Sequence, residues 1–270
     1  GRVAAMLPIR DRNPSGHTPY VTWALIALNI FVFLLYWPAG TEETVNQVFQ
    51  NWGMVPANIS SGQRLYSPLT SMFIHGGWFH LGLNMLFLRI FGDNLEAEMG
   101  ALPYLFFYLI CGLIAVMMQY VSGFYSPVPV AGASGAVAGV MGGYFLMFPR
   151  ARVEMLLYLV VVLRVVAVPA WLLLSLWFAL QVWGGLSTQS GSSSVAFWAH
   201  IGGFLAGVAL TTRLWRMRGG AMFWRRFHGL PPHPTAQFSV PVVRRRGAIL
   251  PPPVSRGLFR REQKEFDLRD

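Results

Sequence analysis

The sequence predicts an all-α membrane protein, a bundle of six transmembrane helices whose long first loop is partly embedded in the membrane. Three observations predict it. Hydrophobic residues make up 54% of the chain and charged residues only 12%, against about 25% charged in an ordinary soluble domain. Six apolar stretches, near 20–37, 79–91, 101–121, 133–148, 168–184 and 196–215, read as spans, a full crossing taking about 20 residues. Arg-bearing and Arg-poor loops alternate between them, which orients a multi-pass chain.

The elements follow in order. Residues 1–19 form a basic N-terminal segment (Arg2, Arg10, Arg12) on the cytoplasmic side of the first span. That span is long and has no small-residue cleavage site after it, so no cleavable leader is expected. Residues 38–77 form a long loop whose only Arg or Lys is Arg64. Its apolar pattern (Val45, Val48, Phe49, Trp52) predicts short helices lying partly in the outer leaflet. The second and fourth stretches are short for a full crossing and carry polar motifs at one end, as helices sheltered among others can. Residues 122–131 and 185–195 are uncharged, whereas 149–167 carry Arg150, Arg152 and Arg164. Residues 20–215 therefore form the six-helix domain, and 216–270 a basic, Pro-rich, disordered tail. Both termini fall in the cytoplasm.

The net charge of +10 does not indicate nucleic acid, because the Arg clusters flank spans as anchoring charges do. Cys111 is the only cysteine, so no intrachain disulfide can form.

Strongly polar groups inside apolar stretches are costly and are functional candidates by default. Three such places stand out: Ser134 within Gly132-Ala133-Ser134-Gly135, His200 ahead of Gly202 and Gly203, and His80 with Asn84. With the termini in the cytoplasm, the second, fourth and sixth spans run inward, and all three sites fall at one depth near the outer face. A serine opening a helix is often only a cap, and a lone histidine often only a core residue. Gly132 and Gly135, however, let the backbone turn sharply and let a carbonyl approach N–H groups at a helix N-terminus. Gly135, Gly139 and Gly143 recur four apart, as do Ala199, Gly203 and Gly207, predicting close contact of the fourth and sixth spans. Such contact brings Ser134 within reach of His200, as general-base catalysis needs. Asp93, Glu96, Glu98 and Glu154 fall on the opposite side, so a Ser–His dyad is expected rather than a triad. His80 and Asn84 share one helix face and suit oxyanion stabilisation. No metal or cofactor is expected: His-Glu-x-x-His is absent, and His75 is the one further ligand at hand.

These residues resemble those of the rhomboid family of intramembrane serine proteases, in particular its bacterial members. The resemblance rests on Gly132-Ala133-Ser134-Gly135, on Ala199-His200-Ile201-Gly202-Gly203-Phe204, on His80-Leu81-Gly82-Leu83-Asn84, and on the stretch from Thr70 to His80; it covers about residues 8–215. It implies Ser134 as nucleophile, His200 as general base, and an oxyanion hole from His80, Asn84 and the Ser134 N–H. It further implies substrates that are transmembrane proteins, cut in or beside their spanning helices at small residues. Location in a bacterial cell membrane follows, with the site opening toward the periplasmic or extracellular side. The fifth span and loop 185–195 would correspond to a movable gate and cap. Two departures stand out. Tyr66-Ser67 stand where some relatives carry a Trp-Arg pair, and Ala138 where some carry an aromatic against the histidine ring, so another residue, Phe197 or Trp198, is expected to fill that space. Two other classes compete, a transporter and a non-catalytic client-binding membrane protein. A transporter is disfavoured because no inverted repeat is visible, and serine-directed labelling separates both from a protease.

Overall fold

The computed structural model describes residues 5–13, 15–38, 40–159, 162–187 and 195–232. They belong to one compact unit, Gly1–Ala236; a second unit, Gln237–Asp270, lies outside the described residues. Most of the described chain is helical. Strand β1 (Ala5–Asp11) leads to α1 (Tyr20–Tyr36), then to three short helices, α2 (Glu42–Trp52), α3 (Pro56–Ser60) and α4 (Ser67–Thr70). Helices α5 (Trp78–Met99), α6 (Ala101–Val121) and α7 (Ser134–Met147) follow. Strands β2 (Arg152–Leu159) and β3 (Val162–Pro169) precede α8 (Ala170–Ser187), α9 (Phe197–Met217) and α10 (Ala221–Phe227). Helices α6 and α8 are long and apolar enough to cross a membrane; α1 and α7 are apolar but only 17 and 14 residues long.

Helix α7 lies at the centre. Its residues from Gly135 to Tyr144 are buried without a break, and most are Gly, Ala or Val. A helix apolar on every side and built of small residues suits a position surrounded by other helices. It packs most extensively against α9 along the expected seam. A Cβ on Gly207 would lie 1.9 Å from the Gly139 carbonyl oxygen, and one on Gly203 would lie 2.0 Å from that of Gly135. The two backbones touch, and no larger residue fits between them. By contrast, α1, α6 and α8 turn large apolar side chains outward, among them Phe31, Leu35, Phe106, Leu176 and Trp183.

Three features differ from the sequence reading. First, the chain is not all-α. β1, β2 and β3 form an antiparallel sheet in that order, with Leu7 opposite Leu156 and Met155 opposite Val166. The segments read as an N-terminal extension and a basic loop thus pair with each other, because the β-branched run around Val165, Val166 and Val168 suits strands. Second, the chain stays ordered past residue 216. In α10, Phe223 is buried and the Trp224 indole donates to the Leu146 carbonyl at 3.0 Å. The remainder of the expected tail, from residue 233, lies outside the described residues, as does most of the expected cap loop 185–195. Third, α5 runs to Met99, beyond the stretch 79–91, because its last turns carry acidic side chains that face partners.

Those acidic groups gather where α1 begins and α5 ends. The Glu96 carboxylate accepts from the Val21 N–H, the Thr22 N–H and the Thr22 hydroxyl, each at 2.8 Å. It thereby caps the N-terminus of α1 from another helix, offsetting unpaired N–H groups and the positive end of the helix dipole. Asp93 accepts from the Ser15 N–H at 2.9 Å and from its hydroxyl. Asp11 accepts from the Asn94 amide at 2.8 Å and the Tyr144 hydroxyl at 2.5 Å, tying β1 to α5 and α7. Burial pushes the Asp11 carboxyl up to about 6, against the lowering effect of its hydrogen bonds from the Tyr144 hydroxyl and the Asn13 N–H. Glu154 is buried on β2 and accepts from Arg10 and from Arg12 Nε at 2.8 Å. Burial pushes its carboxyl up, but the two arginines outweigh that and hold it below the usual carboxylate range.

Candidate active site

Ser134 is the first residue of α7, and the strand-like segment before it fixes its place. Met54 and Val130 exchange backbone hydrogen bonds at 2.9 and 2.8 Å, pinning the long first loop to the approach to α7. The chain then turns at Gly132, whose φ of +129° few side-chain-bearing residues adopt. A Cβ there would also lie 2.9 Å from the His80 ring. Gly132 is required twice, for its backbone angle and for the space it leaves the imidazole.

His200 lies in the first turn of α9. Its Nε2 is 2.8 Å from Ser134 Oγ, the separation of a hydroxyl and its base. The α7–α9 seam makes this possible, since both side chains leave helix ends whose backbones are in contact. The other ring nitrogen, Nδ1, lies 2.7 Å from Oε1 of Gln181 on α8. One turn earlier on α8, Trp177 lies over the ring at 5.8 Å between centroids.

His80 lies in the first turn of α5, and its Nδ1 accepts the Gly76 N–H at 3.3 Å. In a neutral ring that leaves Nε2 as the donor, and Nε2 is the nitrogen close to Gly132. Asn84, one turn on, is buried and gives one of its two N–H groups to the His80 carbonyl at 3.0 Å. Its amide retains a second donor. Helix α7 supplies backbone N–H groups with no helical partner at Ser134 and the residues after it. Ser134, His200, His80 and Asn84 line one cavity of about 800 Å³, together with Trp177 and Met141.

The structure brings together every site residue that the sequence singled out. His75 behaves differently from the ligand considered for it. It is fully buried, its Nε2 accepts the Ala133 N–H at 3.4 Å, and its ring meets that of His80 edge-on. Among the described residues no three His, Cys, Asp or Glu side chains gather to hold a metal. Tyr66 anchors the first loop through its hydroxyl to the Asn51 carbonyl at 2.9 Å and packs on Trp52. The ring found beside His200 is that of Trp177 on α8, whereas the sequence reading expects Phe197 or Trp198 there. Sequence reasoning missed Gln181 and Trp177. The signal available was Gln181 itself, a strongly polar amide in an otherwise apolar stretch, four residues after a tryptophan.

The sequence is similar to those of known proteins. A family model described as Rhomboid domain matches residues 62–217, more than half of the chain. Rhomboid protease GluP of Bacillus subtilis is 32% identical over 46% of this chain and 24% of its own length. The mitochondrial presenilin-associated rhomboid-like protein of Bos taurus is 31% identical over 49% of this chain and 34% of its own. The mitochondrial Rhomboid protein 1 of Saccharomyces cerevisiae is 28% identical over 53% of this chain and 40% of its own. The matched region thus spans between about a quarter and two fifths of these relatives.

Proposed function

The chain belongs to the rhomboid family, a membrane-embedded family that includes serine proteases acting on transmembrane substrates, and we propose that it is an intramembrane serine endopeptidase. Ser134 is the nucleophile and His200 its general base. His80, Asn84 and the Ser134 N–H form the oxyanion hole. Six helices, α1 and α5 to α9, cross a bacterial cell membrane with both termini in the cytoplasm. The cavity opens toward the periplasmic or extracellular face. The substrates are membrane proteins, cut in or beside a spanning helix.

The single observation that carries this reading is the 2.8 Å approach of Ser134 Oγ to His200 Nε2 on a cavity wide enough for a peptide segment. The steps follow from the donors present. Ser134 Oγ attacks the scissile carbonyl carbon while its proton passes to His200 Nε2. The carbonyl oxygen becomes an oxyanion, met by His80 Nε2–H, the spare Asn84 N–H and the N–H groups opening α7. Collapse of the tetrahedral intermediate breaks the C–N bond, and the imidazolium returns the proton to the leaving amine. Water enters through the cavity, gives a proton to His200 and attacks the acyl-enzyme. The second tetrahedral intermediate collapses with cleavage of the ester C–O bond, His200 returns the proton to Ser134 Oγ, and the new carboxyl end leaves.

The test is turnover of a transmembrane substrate in proteoliposomes. Ser134→Ala is expected to abolish cleavage while the melting temperature in detergent stays that of the wild type. Undiminished cleavage by that variant would refute the assignment and favour a client-binding or transport role.

A further inference from the structure

Imidazole serves as a base only if the nitrogen facing the nucleophile is the unprotonated one. In His200 that nitrogen is Nε2, so the proton of the neutral ring must sit on Nδ1. In a three-residue triad a carboxylate accepts a hydrogen bond from Nδ1–H and holds the ring in that tautomer. Among the described residues, the partners of the His200 ring nitrogens are Ser134 and Gln181, neither of them a carboxylate. The atom in that position is Oε1 of Gln181, 2.7 Å from Nδ1. We infer that Gln181 is the positioning residue for His200, a neutral stand-in for the third member of a triad, which accepts a hydrogen bond from Nδ1–H and keeps Nε2 free for Ser134. The inference rests on the serine-protease reading above.

Three features of the geometry carry it. An amide can face a ring nitrogen with its oxygen or its NH2 group. Only the oxygen leaves the Nε2 lone pair toward the Ser134 hydroxyl, and the oxygen is the atom found there. Gln181 and Trp177 stand one turn apart on α8, so one helix face supplies both the hydrogen bond and the ring that flank the imidazole. Finally, a neutral amide provides a directed acceptor without placing a charge in an apolar surround, where an unpaired carboxylate is expensive. Helix α8 buries only Ala170, Leu174 and Gly185 along its length. The partner that orients the base therefore rides on a sparsely buried helix, whereas Ser134 and His200 stand on the tight α7–α9 seam.

The experiment compares Gln181→Leu and Gln181→Glu with the wild type in full-length protein in proteoliposomes, following cleavage of a transmembrane substrate across pH. Loss of the acceptor in the Leu variant is expected to lower kcat about 10- to 100-fold with KM little changed, a part of the gain that general-base catalysis supplies. The Glu variant restores an acceptor and adds a negative charge, which stabilises the imidazolium. It is expected to recover kcat at high pH and to move the acid limb of the kcat profile to higher pH. A Leu variant with wild-type kcat, or a Glu variant whose acid limb coincides with the wild type, overturns the inference. If the Leu variant does not fold, the acid limb of the Glu variant decides alone. Ser134→Ala, run alongside, separates the two claims. Cleavage by that variant removes the protease reading itself, whereas an inactive Ser134→Ala beside a fully active Gln181→Leu removes only the role of Gln181.

Discussion

The two ends of the helix bundle handle buried polar groups in opposite ways. Where α1 begins and α5 ends, the acidic side chains are saturated: Glu96 takes three donors, Asp93 takes both from Ser15, and Asp11 ties two helices to a strand. Where α5, α7 and α9 begin, His80, Asn84 and the Ser134 N–H keep donors uncommitted beside a cavity. Both sets sit in the same apolar body. Saturation makes the first end a clamp, and spare hydrogen-bonding capacity makes the second able to hold a changing charge.

The largest effect should come from the seam that serves both ends. Gly207→Leu places a side chain where a Cβ already meets the Gly139 carbonyl at 1.9 Å. Forcing α7 and α9 apart is expected to remove cleavage and lower the melting temperature together. A variant that melts as the wild type does and still cleaves would show that the seam does not set the Ser134–His200 distance.

Glu96→Ala should separate the ends. It strands two N–H groups and a hydroxyl at the start of α1, at a cost of about 3 kcal/mol or more. The melting temperature should fall, while the protein that remains folded cleaves at an unchanged rate per molecule. Equal loss in both assays would mean that the ends are not independent.

A smaller, pH-dependent effect belongs to Asp11. Its folded-state pKa of about 6 lies above the ordinary carboxylate value of 3.8. The native state therefore holds the proton more tightly than the unfolded chain does. That contribution is complete below about pH 4 and is lost as pH rises through 6, up to about 3 kcal/mol in all. Asp11→Asn is expected to flatten the fall in melting temperature between pH 4 and 7. Superimposable profiles for variant and wild type would contradict this.

The contrast between the ends also separates what the sequence makes legible from what it hides. Long apolar periodicity and glycine spacing mark the helices and the α7–α9 seam, because packing of small residues leaves a regular trace. Ser134, His200, His80 and Asn84 were legible because polar groups are scarce in such stretches. The sheet was not. Residues 152–169 carry Arg152, Glu154 and Arg164 and so read as a loop, and β1 finds its partner more than 140 positions away. Gln181 and Trp177 were hidden for a related reason. Which face of α8 meets α9 depends on tertiary packing, so a lone amide in an apolar stretch does not reveal its partner. The ordered α10 was masked by the Pro- and Arg-rich residues that follow it.

The central claim is that Ser134 is reactive because His200 takes its proton. The most direct measurement is the rate at which a fluorophosphonate labels the protein in detergent, with the modified residue identified by mass spectrometry, in wild type and His200→Ala. The account predicts labelling at Ser134 in the wild type and at least a ~100-fold slower rate without the imidazole. Equal rates in the two proteins, or modification at a different serine, would contradict it.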